Sequence, residues 1–207
     1  MVFCIHGTGP VSQEIKKSRF VAQVFRVASE DEAREKIAEI VAANPKANHT
    51  CWAFILGDSQ EIQRYSDDGE PSGTAGVPIL EVLKKQALTD VLVTVTRYFG
   101  GVKLGTGGLI RAYASSASLA IAACERFQKI EMQTFRLILD YGLFDSLQRF
   151  LAVKNLSLQE TQFAEQVNGQ LAVPLASADN FLQALVDEFN GKIEVKKGGK
   201  SWMEVAV

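Results

Sequence analysis

Histidine and cysteine are scarce in this chain, with two and three copies among 207 residues. Cys4, Cys51 and Cys124 are scattered, odd in number and without a CxxC pair, which argues against a disulfide framework and fits a reducing compartment. Long apolar runs are also missing: none approaches the roughly 20 residues that a membrane helix needs. The segment Met1 to Val11 lacks the basic flank of a signal peptide. The expected setting is therefore the cytosol, with no membrane partner. Charge of one sign is absent as well. The net charge is −2, with 14 basic and 14 acidic residues over 1–127 and 8 and 10 over 128–207. Neither half is a basic module, so binding to nucleic acid would have to rest on a local patch.

What is present is an ordinary globular composition, 47% apolar and 22% charged, in a chain long enough for two domains of about 100 residues each. Glu14 to Val27 alternates as a strand. Ser29 and Glu32 form a capping box for a helix bearing Ala33, Ile37, Ile40 and Val41, stopped at Asn44-Pro45. His49 to Gly57 and Glu61 to Tyr65 read as strands, and Pro78 suits the first turn of a helix. Asp90 to Tyr98 is β-branched and apolar enough for a buried central strand, with a long helix over Leu109 to Phe127. The pattern restarts between residues 127 and 132, giving domains of 1–130 and 131–207. The second has the order βαββαβ of a ferredoxin-like domain, with a hairpin turn expected at Asn168-Gly169 and another turn at Gly198-Gly199. The fold class is α+β. The first residues, Met1 to Gly9, read as a mobile terminus.

Two stretches dense in glycine could carry chemistry. Gly100, Gly101, Gly105, Gly107 and Gly108 lie between the buried strand and a helix start. Their backbone can approach a ligand closely, and the free amides of the helix's first turn favour an anion such as phosphate. Arg97, Lys103 and Arg111 could add charge-assisted hydrogen bonds to that anion. The alternative is a tight structural connection, since neither GxxxxGK[ST] nor GxGxxG is present. In the other stretch, Asp67, Asp68 and Glu70 place three carboxylates beside Gly69. They could hold magnesium, or form a solvated turn with backbone bonds. His49 is the one candidate general base outside the terminus. A set of Cys51, His49 and Asp67 can be drawn as nucleophile, base and acid, and Cys4, His6, His49 and Cys51 as zinc ligands. Residues two apart on a strand face rarely point at each other, and CxH is not a standard knuckle, so no metal site is expected. Lys16, Lys17 and Arg19 beside Phe20 suit a phosphate backbone or a charged strand end.

Lys17-Ser18-Arg19-Phe20, His49, the string SDDGEPSGTAG over 66–76 that includes Thr74, and TRYFGGVKLGTGG over 96–108 with Tyr98, Leu109, Arg111, Ala112 and Tyr113 resemble the IMPACT family. The closest resemblance is to its bacterial, YigZ-type branch, whose members carry a small C-terminal domain. That resemblance implies a first domain with the βαβ architecture of elongation factor G domain IV, shared with a small-subunit ribosomal protein and GHMP kinases. The second domain would then be similar to elongation factor G domain V. It also implies a role in translation, because eukaryotic members compete for a partner in the activation of kinases acting on initiation factor 2. The family carries no established catalytic residue or cofactor to transfer. The expectation is a translation-related regulatory or binding protein that meets RNA, the ribosome or a translation factor through its glycine loops. The alternative is an enzyme on a nucleotide or other phosphorylated substrate, with Asp67 and Asp68 on magnesium and His49 or Glu70 as base.

Overall fold

Hydrophobic alternation along one strand organises the first half of the chain. The computed structural model describes residues 2–7 and 9–207. Strand β6 (Val91–Tyr98; here and below, elements are numbered in chain order) is buried from Val91 to Arg97 because both faces of its sheet are covered. Successive side chains of a strand point to opposite faces. Val91, Val93 and Val95 therefore join one core cluster, whereas Leu92 joins a second. Each fully buried aliphatic or aromatic side chain contributes about 1.5–3 kcal/mol.

Around β6 the chain builds an antiparallel sheet from β2 (Val11–Ile15), β3 (Ser18–Arg26), β4 (His49–Leu56) and β5 (Ile62–Ser66), in the order β2-β3-β6-β4-β5. The single strand expected over Glu14 to Val27 is in fact a hairpin. Ile15 faces Ser18, and Lys16 and Lys17 both take positive φ, 48° and 66°. That geometry matches a two-residue turn suited to the twist of the strands, so the expected cluster of basic residues stands at a hairpin tip.

Helix α1 (Glu30–Ala43) covers one sheet face. Ser29 Oγ accepts the Glu32 amide at 3.2 Å, and Glu32 Oε2 accepts the amide of Ala28 at 2.7 Å. Ala33, with Phe54, Leu56 and Leu92, forms the core beneath it. Helices α2 (Gly76–Lys85) and α3 (Thr106–Ala122) cover the opposite face. Small buried residues on α3, Ala112, Ser116, Ala117 and Ala120, allow close packing there.

The expectation of a loose terminus is corrected for Val2–His6, which form β1 and pair antiparallel with the start of β7 (Glu125–Leu139). Cys4 and Ile5 are buried in the process. Met1 and Thr8 lie outside the described residues.

The chain divides into two compact units at Lys129/Ile130, and Val205–Val207 return to the first. In the second unit β7 is followed by α4 (Tyr141–Val153), β8 (Gln159–Phe163), β9 (Val167–Pro174), α5 (Ala178–Phe189) and β10 (Glu194–Ala206). The strand order β10-β7-β9-β8 with the sequence βαββαβ is the ferredoxin-like arrangement. Its core joins Phe135, Leu137, Leu147, Leu171, Phe181 and Leu185.

Two expected turns in this unit are strands. Asn168 and Gly169 sit within β9 opposite Ile138 and Leu137. The glycine is there for space: a Cβ at 169 would lie 2.6 Å from Leu158 Cδ2. The bend falls instead at residues 164–166, where the Ala164 amide donates to Gln166 O at 3.2 Å. Gly198 and Gly199 run through β10, and their carbonyls accept from Gln133 Nε2 at 2.8 and 3.1 Å. Among the described residues, no helix is long and apolar enough to cross a membrane.

Candidate functional site

The acidic string folds around Asp67. Its Oδ1 accepts the amides of Ala75 and Gly76 at 2.9 and 2.8 Å, and its Oδ2 accepts that of Gly73 at 2.8 Å. Gly76 opens α2, whose N-cap Ala75 has no side-chain acceptor of its own. Asp67 therefore caps that helix from nine residues away and meets the positive end of its dipole. Asp68 Oδ2 accepts the Thr50 amide at 2.5 Å, and buried Thr74 donates from Oγ1 to Pro71 O at 2.6 Å. The magnesium reading of Asp67 and Asp68 is corrected on this ground. Both carboxylates are committed to backbone amides, and no cluster of three or more metal-binding side chains exists among the described residues.

Glu70 turns inward. Its Oε1 accepts from Arg97 Nη1 at 2.6 Å and from Tyr113 Oη at 2.8 Å, and the Glu70 and Arg97 side chains are only 3% and 7% exposed. Arg97 Nη2 donates to Ser18 Oγ at 3.3 Å, an oxygen that also accepts the Gly100 amide at 3.3 Å. The guanidinium carbon lies 5.5 Å from the ring centres of both Phe20 and Phe99. Arg97, expected to be a free phosphate ligand, thus serves first to neutralise a buried carboxylate. Burial pushes the Cys51 thiol up to about 12, and its Sγ donates to Asp67 O at 2.9 Å. Burial also raises Tyr113, helped by neighbouring Cys51 and Glu70. A thiol held protonated is no nucleophile at neutral pH, so the triad of Cys51, His49 and Asp67 is set aside. His49 Nδ1 lies 2.7 Å from Asp68 O. A carbonyl only accepts, so Nδ1 is the donor in this bond.

The glycine loop meets this node from the other side. Gly100 packs so tightly on the hairpin tip that a Cβ would sit 1.8 Å from Lys17 O. Gly105, at φ 73° and ψ 166°, is the N-cap of α3, a backbone region reserved for glycine. No side chain caps α3 and its first turn holds no acid, so its amides and its dipole remain available to an anion.

The result is a cleft of about 480 Å³ lined by His49, Glu70, Arg97, Phe99, Lys103 and the start of α3 at Gly105 and Thr106. Beyond Leu104, which lines both, lies a second depression of about 230 Å³ with Lys16, Gly108 and Arg111. Lys103 and Arg111 make no ion pair among the described residues. Arg19 is drawn aside onto the Tyr98 ring at 4.5 Å, and Tyr98 Oη donates to Asn44 Oδ1 at 2.6 Å. Lys17 contributes its carbonyl to the packing of Gly100. Gly101 and Gly107 stay exposed on the loop and at the first turn of α3. Ser18, Phe99 and Thr106 stand within the strings that carry the family resemblance, but reasoning from the sequence did not single them out as site residues. An aromatic directly before paired glycines was the available signal for Phe99.

Residues 16–121 match the family described as the Impact N-terminal domain, and residues 137–192 match a domain of unknown function, DUF1949. The chain is 38% identical over 205 residues to IMPACT family member YvyE of Bacillus subtilis, covering 99% of this chain and 94% of that one. It is 31% identical over 188 residues to IMPACT family member YigZ of Escherichia coli, covering 89% and 92%. A solved structure titled as that of a hypothetical protein matches with a TM-score of 0.57 and 29% identity, over 96% of this chain and 98% of that one. With one family covering the first unit and full-length relatives above 30% identity, the chain belongs to the IMPACT family, alongside its bacterial members.

Proposed function

We propose that this protein acts in translation as a binding protein, and that the cleft and its neighbouring depression grip phosphate groups of RNA. The observation that carries this reading is the uncapped, acid-free start of α3 facing a cleft. There the one buried carboxylate is neutralised by Arg97 while Lys103 and Arg111 stay unpaired. Free helix amides, a dipole and lysine or arginine charges are what a phosphate needs. Family membership supplies the translational setting, since the resemblance links eukaryotic members to translational control. The net charge of −2 makes the affinity modest and salt-sensitive.

The enzyme alternative draws less support. Its magnesium ligands, Asp67 and Asp68, hold backbone amides, and Glu70 lies in a buried ion pair.

Fluorescence anisotropy of a labelled RNA across a salt series tests the reading. Lys103→Ala with Arg111→Ala is expected to weaken binding and to flatten the log–log salt dependence by roughly 0.7 per lost phosphate contact on a single strand. An unchanged affinity and slope in the double variant would remove the cleft from RNA binding, and failure of the wild-type chain to bind any RNA would remove the function itself.

A further inference from the structure

Resting on that phosphate reading, the geometry points to a narrower ligand. We propose that the cleft takes one unpaired nucleotide, with its phosphate at the start of α3 and Lys103 and its base against Phe99.

Phe99 is the reason. It is 46% exposed. Its backbone is held: the Phe99 amide donates to Asn48 Oδ1 at 2.8 Å, and the Asn48 amide donates to Arg97 O at 2.9 Å. The ring stands among the residues that line the cleft, on a backbone held in place. The Arg97 guanidinium, 5.5 Å from its centre, draws on the ring's electron-rich face and does not occupy the cleft, being buried with Glu70. A flat apolar plate next to an anion site matches the two halves of a nucleotide, a base face and a phosphate.

Size and shape favour one nucleotide over a duplex. About 480 Å³ falls in the range of small-ligand pockets. Glu70 and Arg97 are among the residues that line it. A duplex keeps its base faces stacked inside the helix and offers phosphates from a convex surface. It could touch Lys103 but could not reach Phe99 with a base. Arg111 and Lys16, beyond Leu104, suit the next phosphate of a single strand.

The shared chemistry, an unpaired nucleotide, could belong to a free nucleotide or to a single-stranded segment of RNA. The experiment uses the full chain with a labelled single-stranded RNA and a duplex of the same length, at fixed low salt, competed by unlabelled oligonucleotide, by nucleoside monophosphates or by inorganic phosphate. The single strand is expected to bind at least about tenfold more tightly than the duplex. Phe99→Ala is expected to weaken single-strand binding by roughly 5- to 100-fold without altering the salt slope, because no charge is removed. Phe99→Trp should retain binding. Competition by monophosphates but not by phosphate assigns the site to free nucleotides as well, and competition by oligonucleotide alone assigns it to a strand. If Phe99→Ala, shown folded by its circular dichroism, binds the single strand like wild type while Lys103→Ala with Arg111→Ala does not, the base site is wrong and the phosphate reading stands. Equal affinity for duplex and single strand would overturn the base site too. Absence of all RNA binding would overturn both readings together.

Discussion

Glu70 and Arg97 meet at 2.6 Å with both side chains largely buried, and this ion pair ties the acidic loop to the central strand that feeds the glycine loop. Removing one partner strands a charge in a low-dielectric setting. Arg97→Ala is expected to cost about 3–5 kcal/mol, read as a lowered midpoint in urea. Glu70→Gln, which keeps a hydrogen-bond acceptor for Tyr113 and Arg97, should cost less than Glu70→Ala. A loss below about 1 kcal/mol in Arg97→Ala would mean that the carboxylate finds water or another donor. The same reasoning makes Arg97 a poor choice for testing ligand binding, since its loss would disturb the floor of the cleft.

Asp67 holds three amides at 2.8 to 2.9 Å with one carboxylate. A single charge-assisted bond of this kind contributes about 1.5–3 kcal/mol, and the three share one desolvated group, so their contributions overlap. Asp67→Ala is expected to destabilise the first unit by at least about 2 kcal/mol. Amide exchange at Gly73, Ala75 and Gly76 should rise ahead of exchange in β6. Asp67→Asn, with one acceptor oxygen, should recover part of the loss. Unchanged exchange at those three amides would show that the loop holds itself without Asp67.

The framework was legible where side-chain patterning alone decides the outcome. Ser29 and Glu32 announced α1, and the β-branched run after Asp90 announced β6, because capping and two-sided burial leave marks in local sequence. The misread points are those where distant residues decide. Lys16 and Lys17 turn without glycine, so a hairpin passed for one strand. Gly169 answers to Leu158 rather than to a turn, and the terminus is held by pairing with a strand more than a hundred residues away. The same rule separates the site residues. Helix start, lysine and glycines suit an anion site or a tight connection alike, and a carboxylate string looks the same whether it binds metal or its own backbone. Only the amides donated to Asp67 and the guanidinium beside Glu70 tell the two apart.

Cys51 links the buried node to alkaline stability. Burial pushes its thiol up to about 12 from an ordinary value of 9.0, and burial raises the Tyr113 phenol in the same direction. Both groups lose their protons at lower pH in the unfolded chain than in the folded one. The folded state therefore binds more protons above pH 9, and stability falls as pH rises through that region, by at most about 1.4 kcal/mol per pH unit for each group. Below pH 9 the contribution is fully present. Cys51→Ser should shift part of this alkaline loss upward in pH, followed by urea midpoints between pH 8 and 11. Iodoacetamide at pH 8 is expected to leave Cys51 unmodified in the folded chain and to label it after unfolding. Rapid native labelling at Cys51 would contradict the burial that keeps it protonated.

Gly105 separates the shape of the cleft from its charge. At φ 73° and ψ 166° it occupies a backbone region that a side chain makes costly, although a Cβ there would meet nothing within 4 Å. Gly105→Ala therefore strains the N-cap of α3 by about 1–3 kcal/mol, and the strain is relieved by fraying the first turn, whose amides are those proposed to meet phosphate. Lys103 and Arg111 remain in place in that variant. If helix amides carry a share of the binding, Gly105→Ala weakens RNA binding severalfold with the salt slope intact, whereas Lys103→Ala lowers both affinity and slope. If Gly105→Ala binds like wild type while its thermal midpoint falls, the glycine serves only the fold, and the anion is held by side chains alone.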